Sequence, residues 1–202
     1  MSKKLSAQEL KKALTLLNDI LATQKSPEYW IVVCGGAALA LSNLVNRTTE
    51  DVDILALMES DGGFLISPAP LPTMLLDAAK LVAEELNLPP HWLNNGPSQN
   101  EGGLFQMGLP SGTRERLDTM AFGKHLKVSI VSRRDQVFFK LYAAIDQPNS
   151  YHTSDLKLLK PTADEIRQAF AWARTHDASE GFQIVGRQFL QYLGFDDVAE
   201  EL

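Results

Sequence analysis

Asp51 and Asp53 lie one residue apart and follow a Gly35-Gly36 pair. Alternate side chains of a strand share a face, so the two aspartates point the same way if 51–55 is extended. Neighbouring carboxylates repel unless a cation lies between them. Mg²⁺ takes oxygen ligands of this kind and keeps substrate phosphates in its shell. Upstream, 29–33 is an apolar, β-branched run and reads as a buried strand. Gly35 and Gly36 would let the chain turn sharply and approach a ligand closely. Residues 37–44 then read as a helix whose first N–H groups face back to the turn, an arrangement that favours phosphate. The bland alternatives are an ordinary strand-to-helix turn and a strand end with two solvated carboxylates. Lys140 is the other candidate. It sits among Phe138, Phe139 and Leu141, where a lysine either meets an acidic partner or snorkels to the surface.

These residues need a scaffold, and the rest of the chain supplies one. Ser6-x-x-Glu9 is a capping box, and Leu10, Ala13, Leu14, Leu17, Ile20 and Leu21 follow it at helical spacing. Residues 58–72 hold Gly62, Gly63, Pro68, Pro70 and Pro72 and read as loop. A helix is expected over 73–86 and a polar loop over 91–103. Short strands are expected at 104–109, 116–122 and 126–131. Ser132-x-x-Asp135 starts a helix reaching about residue 145. A loop at 148–153 and a helical turn at 155–159 follow. Thr162-x-x-Glu165 caps the next helix, and a last one ends at Gly194. The expected fold is α/β (α+β), a mixed sheet flanked by helices. Residues 1–132 would form its core, and 133–202 a helical C-terminal part packed on that core.

The order Gly-Gly, helix, Asp-x-Asp resembles the nucleotidyltransferase superfamily. Gly35-Gly36-x-Ala38-Leu39 with Arg47-x-Thr49-x-Asp51-x-Asp53 looks like the bacterial branch holding AbiEii-type and MenT-type toxins, and within it the group catalogued as DUF6036. The resemblance implies Mg²⁺ or Mn²⁺ on Asp51 and Asp53, an NTP as substrate, and phosphates on Gly35, Gly36 and Arg47. Thr49 would cap or hydrogen-bond near the metal. Superfamily enzymes usually add a third carboxylate on a later strand. Asp118 is the candidate, either as ligand or as surface residue; strand alternation would set it on one face with Arg114 and Arg116. The family's helical lysine and later Asp-Leu correspond to Lys140 and Asp155-Leu156, although Thr153-Ser154 replaces the charged pair. Lys140 would then touch phosphate and pair with Asp155. Trp92-Leu93-Asn94 resembles another family segment and reads either as an anchor for the loop or as a contact to a nucleotide base. His152 is noted only for preceding Asp155.

Composition narrows the classes. The 202-residue chain is 45% hydrophobic, carries a net charge of −6 and has one cysteine, Cys34. No apolar run reaches the length needed to span a bilayer. Met1-Ser2-Lys3-Lys4 has no apolar stretch behind it, so neither a secretory leader nor a membrane partner is expected. One cysteine excludes an intrachain disulfide and suits a cytoplasmic setting. The charge argues against a protein that coats nucleic acid. Arg114 with Arg116, or Arg133 with Arg134, would be local basic patches. A Walker P-loop and a Gly-x-Ser-x-Gly elbow are both missing. The reading is a metal-dependent nucleotidyltransferase acting on an RNA end or a protein, in a toxin–antitoxin or phage-defence pair with a cognate antitoxin or toxin protein. The alternative is an inactive protein of the same fold that binds a partner. A modifier of cationic small molecules shares the core chemistry.

Overall fold

The computed structural model describes residues 4–45, 48–59 and 61–202. It is an α+β protein with a mixed six-stranded sheet. Two compact units, Met1–Ser132 and Arg133–Leu202, divide the chain. Among the described residues no helix is long and apolar enough to cross a membrane.

In the first unit α1 (Ala7–Thr23) begins with the complete Ser6/Glu9 capping box, which satisfies helix N–H groups and the cap's own N–H. It buries Leu10, Leu14, Leu17 and Leu21 and packs on α3 (Thr73–Leu86). Strand β1 (Tyr29–Cys34) runs directly into α2 (Gly35–Leu41). β2 (Val52–Met58) returns antiparallel to β1, with Cys34 opposite Asp53. The outer side of β2 carries β3 (Leu65–Ile66) antiparallel and β4 (Leu93–Asn94) parallel. On the other side β6 (Leu126–Ile130) is parallel to β1, and β5 (Asp118–Ala121) forms the edge.

The β1–β2 register changes between Val32, opposite Ala56, and Val33, opposite Ile54, so Leu55 is an extra residue. Such a bulge leaves ladder groups unpaired and re-aims the strand beyond it. The Leu55 carbonyl accepts a hydrogen bond from the fully buried Ser98 Oγ at 2.7 Å. Ser98 is held in a 3₁₀ turn, Gly96–Ser98.

The second unit contains α5 (Arg133–Asp146), α6 (Tyr151–Leu158), α7 (Ala163–His176), α8 (Glu180–Tyr192) and α9 (Asp196–Glu200). α5 packs on α6, α7 and α8. Its core holds Val137, Leu141, Ile166 and Phe170. Arg133 ties three segments together. It donates to the carbonyls of Leu159 and Lys160 at the end of α6, and to both carboxylate oxygens of Glu165.

Besides α9, which follows the helix expected to be the last, three expectations need correction. Residues 104–109 form no strand; Leu104–Met107 is a short helix, α4, because the apolar run is one helical turn set between Gly103 and Gly108. Arg114–Arg116 is a 3₁₀ turn and β5 starts only at Asp118, so strand alternation does not align Arg114, Arg116 and Asp118. α6 already begins at Tyr151, inside the expected loop, where Ser150 caps it.

Hydrogen bonds from Arg133 hold the Glu165 carboxyl below the usual glutamate range. A lowered folded pKa adds stability above the ordinary glutamate value, and that stability is lost as pH falls through the folded value. Glu165→Gln keeps the capping box and removes the charge. It is expected to cost about 1–2 kcal/mol at neutral pH, and the gap from wild type should close between mildly acidic and strongly acidic pH in urea unfolding. A gap independent of pH would contradict this origin.

Candidate functional site

Gly35 is the first residue of α2 and has φ +66°. This left-handed conformation strains any residue with a Cβ. A second constraint acts at the same atom, since a Cβ there would lie 2.7 Å from Asp53 Oδ2. The turn therefore brings backbone directly against the Asp53 carboxylate. The Cys34–Asp53 pair of the β1–β2 ladder sets this approach, and Asp53 is half-buried there.

Asp51 lies just before β2 and is also half-buried. The buried Thr49 donates its hydroxyl to the Asp51 carbonyl at 3.2 Å and to Asp51 Oδ1 at 3.3 Å. Thr49 is itself anchored by a two-bond bridge to Leu5. Asp51 is thus held by a side chain fixed to the N-terminal segment, and Asp53 by a ladder fixed to the glycine turn. Gly36 is buried within α2. Arg47 lies outside the described residues.

Asp118 is not brought to this pair. It stands opposite Ile130, which in turn lies beside Val33. Val33 and Cys34 are neighbours on one strand, so their side chains leave opposite faces of the sheet. Asp53 shares the face of Cys34, and Asp118 is on the other. Three strand spacings, roughly 14 Å, also separate β5 from β2. Among the described residues no group of three or more His, Cys, Asp or Glu side chains is placed to hold a metal. What remains is two carboxylates, a donor set compatible with Mg²⁺ that shares phosphate and water oxygens.

Trp92 is fully buried and its indole donates to the Ala79 carbonyl at 2.8 Å, which makes it the anchor of its loop. Asn94 lies beside Asp53 in the β2–β4 pair, but its Oδ1 accepts from the Gly96 N–H at 2.7 Å. Ser98 had no sequence signal, because a serine in a Gly-Pro turn looks like any loop residue.

In the second unit Lys140 Nζ lies 2.7 Å from Asp155 Oδ2, with the two side chains only 5% and 3% exposed. The ammonium also sits 5.1 Å from the centre of the Tyr151 ring. Lys140 is therefore no snorkelling lysine. Removing one partner of such a pair strands a buried charge, at about 3–5 kcal/mol. The arginines named as basic patches have partners within the chain. Arg114 donates to the Gly63 carbonyl and pairs with Glu115, Arg116 donates to the Ser111 carbonyl, Arg133 pairs with Glu165, and Arg134 donates to Gln168.

No protein-family model, curated protein or solved structure matches this chain. The site stands on its geometry and on the order of its residues.

Gly35→Ala combines left-handed strain with a contact onto Asp53 Oδ2. It is expected to destabilise the fold by at least about 1–2 kcal/mol. Gly181→Ala in α8, where a Cβ meets only the Ser179 hydroxyl at 3.9 Å, should be neutral or slightly stabilising. Urea unfolding of both variants checks the contrast; equal effects would contradict it.

Proposed function

We propose that this protein is a metal-dependent nucleotidyltransferase that moves a nucleoside monophosphate from an NTP to a hydroxyl acceptor. The observation that carries the reading is the Gly35 turn closed onto Asp53, with Asp51 held by Thr49 just before the same strand. A strand-to-helix glycine turn offers backbone N–H groups to phosphate, and the aspartates at the start of β2 would offer oxygen ligands.

Asp51 and Asp53 would hold Mg²⁺ or Mn²⁺, whose charge would offset that of the triphosphate. Gly35 and Gly36 let phosphate oxygens approach the main chain. The acceptor hydroxyl attacks the α-phosphorus. A new P–O bond forms, the bond to the bridging oxygen breaks, and pyrophosphate leaves with its electron pair. The hydroxyl proton passes to an aspartate carboxylate or to water. Positioning and electrostatics supply most of the acceleration in this chemistry. By the resemblance, Arg47 would counter phosphate charge; Lys140, 5% exposed and bound to Asp155 within the second unit, serves that unit's core instead. The same resemblance makes the acceptor an RNA end or a protein side chain, and the setting a cytoplasmic toxin–antitoxin or phage-defence pair.

The second reading is a protein of this fold that binds a partner without catalysis. It is favoured by one observation, the position of Asp118 on the opposite sheet face from Asp53.

Transfer of α-³²P from each of the four NTPs onto total bacterial RNA and protein, with Mg²⁺ or Mn²⁺, separates the two. Label is expected with wild type and should fall at least about 100-fold, or 2.7 kcal/mol, in Asp51→Asn/Asp53→Asn. Absence of transfer together with absence of NTP binding would reject the enzyme and favour the binding protein.

A further inference from the structure

Helices α1 and α3 leave a shallow groove of about 480 Å³ along their outer surface. Leu16, Ile20 and Leu81 line it, and Glu84 and Glu85 stand at its rim. α1 already faces the core with Leu10, Leu14, Leu17 and Leu21, and α3 with Leu75, Ala78 and Val82. The groove is thus a second apolar stripe, in addition to the one that folds the helices. Leu81 is 44% exposed.

The acidic rim selects the occupant. Glu84 and Glu85 are exposed and adjacent, and no ion pair holds them among the described residues; Asp19 next to Ile20 is exposed as well. Lys12 and Lys80 are the bases within a helical turn of Leu16 and Glu84, and neither forms an ion pair with the rim. A second copy of this chain docked groove to groove would set Glu84 and Glu85 against their own counterparts. Anionic lipid would be repelled likewise.

We infer that the α1–α3 groove docks one basic amphipathic helix of a partner protein, its apolar stripe on Leu16, Ile20 and Leu81 and its lysines or arginines on Glu84 and Glu85. Apolar contact supplies the affinity of such helix-in-groove binding, and charge supplies its rate and selectivity. The inference is independent of the Asp51–Asp53 site.

A fluorescein-labelled helical peptide of about 18 residues, near the length of α1, with a leucine stripe flanked by lysine and arginine, probes the groove by anisotropy. The control peptide carries glutamate at the basic positions. The full chain is expected to bind the cationic peptide saturably and the control at least tenfold more weakly. Glu84→Lys/Glu85→Lys and, separately, Leu81→Ser should each weaken binding about tenfold while thermal unfolding stays unchanged. Higher salt should weaken it further. Equal binding of both peptides, or binding untouched by either variant, would overturn the inference. So would a dimer in sedimentation velocity that Leu81→Ser dissolves, which would give the groove to a second copy.

Discussion

The close approach of Gly35 to Asp53 is the constraint on which the candidate site rests. A left-handed residue at the first position of α2 turns the chain out of β1 without a linker. The same residue, lacking a Cβ, admits the Asp53 carboxylate from the neighbouring strand. Two requirements therefore meet at one atom, and any side chain there breaks both. A strand-to-helix turn alone would tolerate many sequences. Packing against the Asp53 carboxylate restricts this one to a residue without a Cβ.

The remaining features of the first unit hold that carboxylate where it is. The Leu55 bulge shifts the phase of β2, so Asp53 and Cys34 form a pair that an unbroken ladder would not make. Ser98 satisfies the bulge carbonyl from a turn distant in sequence. Thr49 and Leu5 fix the approach to β2 and with it Asp51. In the second unit the costliest feature is the Lys140–Asp155 pair, buried away from solvent screening. Arg133 and Glu165 link the end of α6 to the start of α7 in the same unit.

Local signals were legible in the sequence. Both capping boxes, Ser6/Glu9 and Thr162/Glu165, form as their residue types require, because a cap depends on neighbours within one turn. The apolar runs of β1 and β2 were legible for the same reason. The bulge was not, since Val52 to Met58 is apolar apart from Asp53 and shows no break in alternation. The short α4 was read as a strand because a single turn gives no period. Asp118 was assigned a face by strand alternation extended through residues that fold as a 3₁₀ turn. Lys140 could be recognised as unusual from its apolar neighbours, and its partner Asp155 was expected from the resemblance; spacing alone would not have named it, because the pair depends on how α5 meets α6. α9, beyond Gly194, had too few residues for a periodic signal.

Manganese relaxation in ¹⁵N spectra, with a non-hydrolysable NTP present, tests the central claim most directly. If Asp51 and Asp53 hold the cation against the glycine turn, broadening centres on the amides of Gly35, Gly36, Val52 and Asp53 and disappears in Asp51→Asn/Asp53→Asn. Broadening that is absent, or that persists in the double variant, would mean that the turn and the two aspartates are a structural junction and not a metal–nucleotide site.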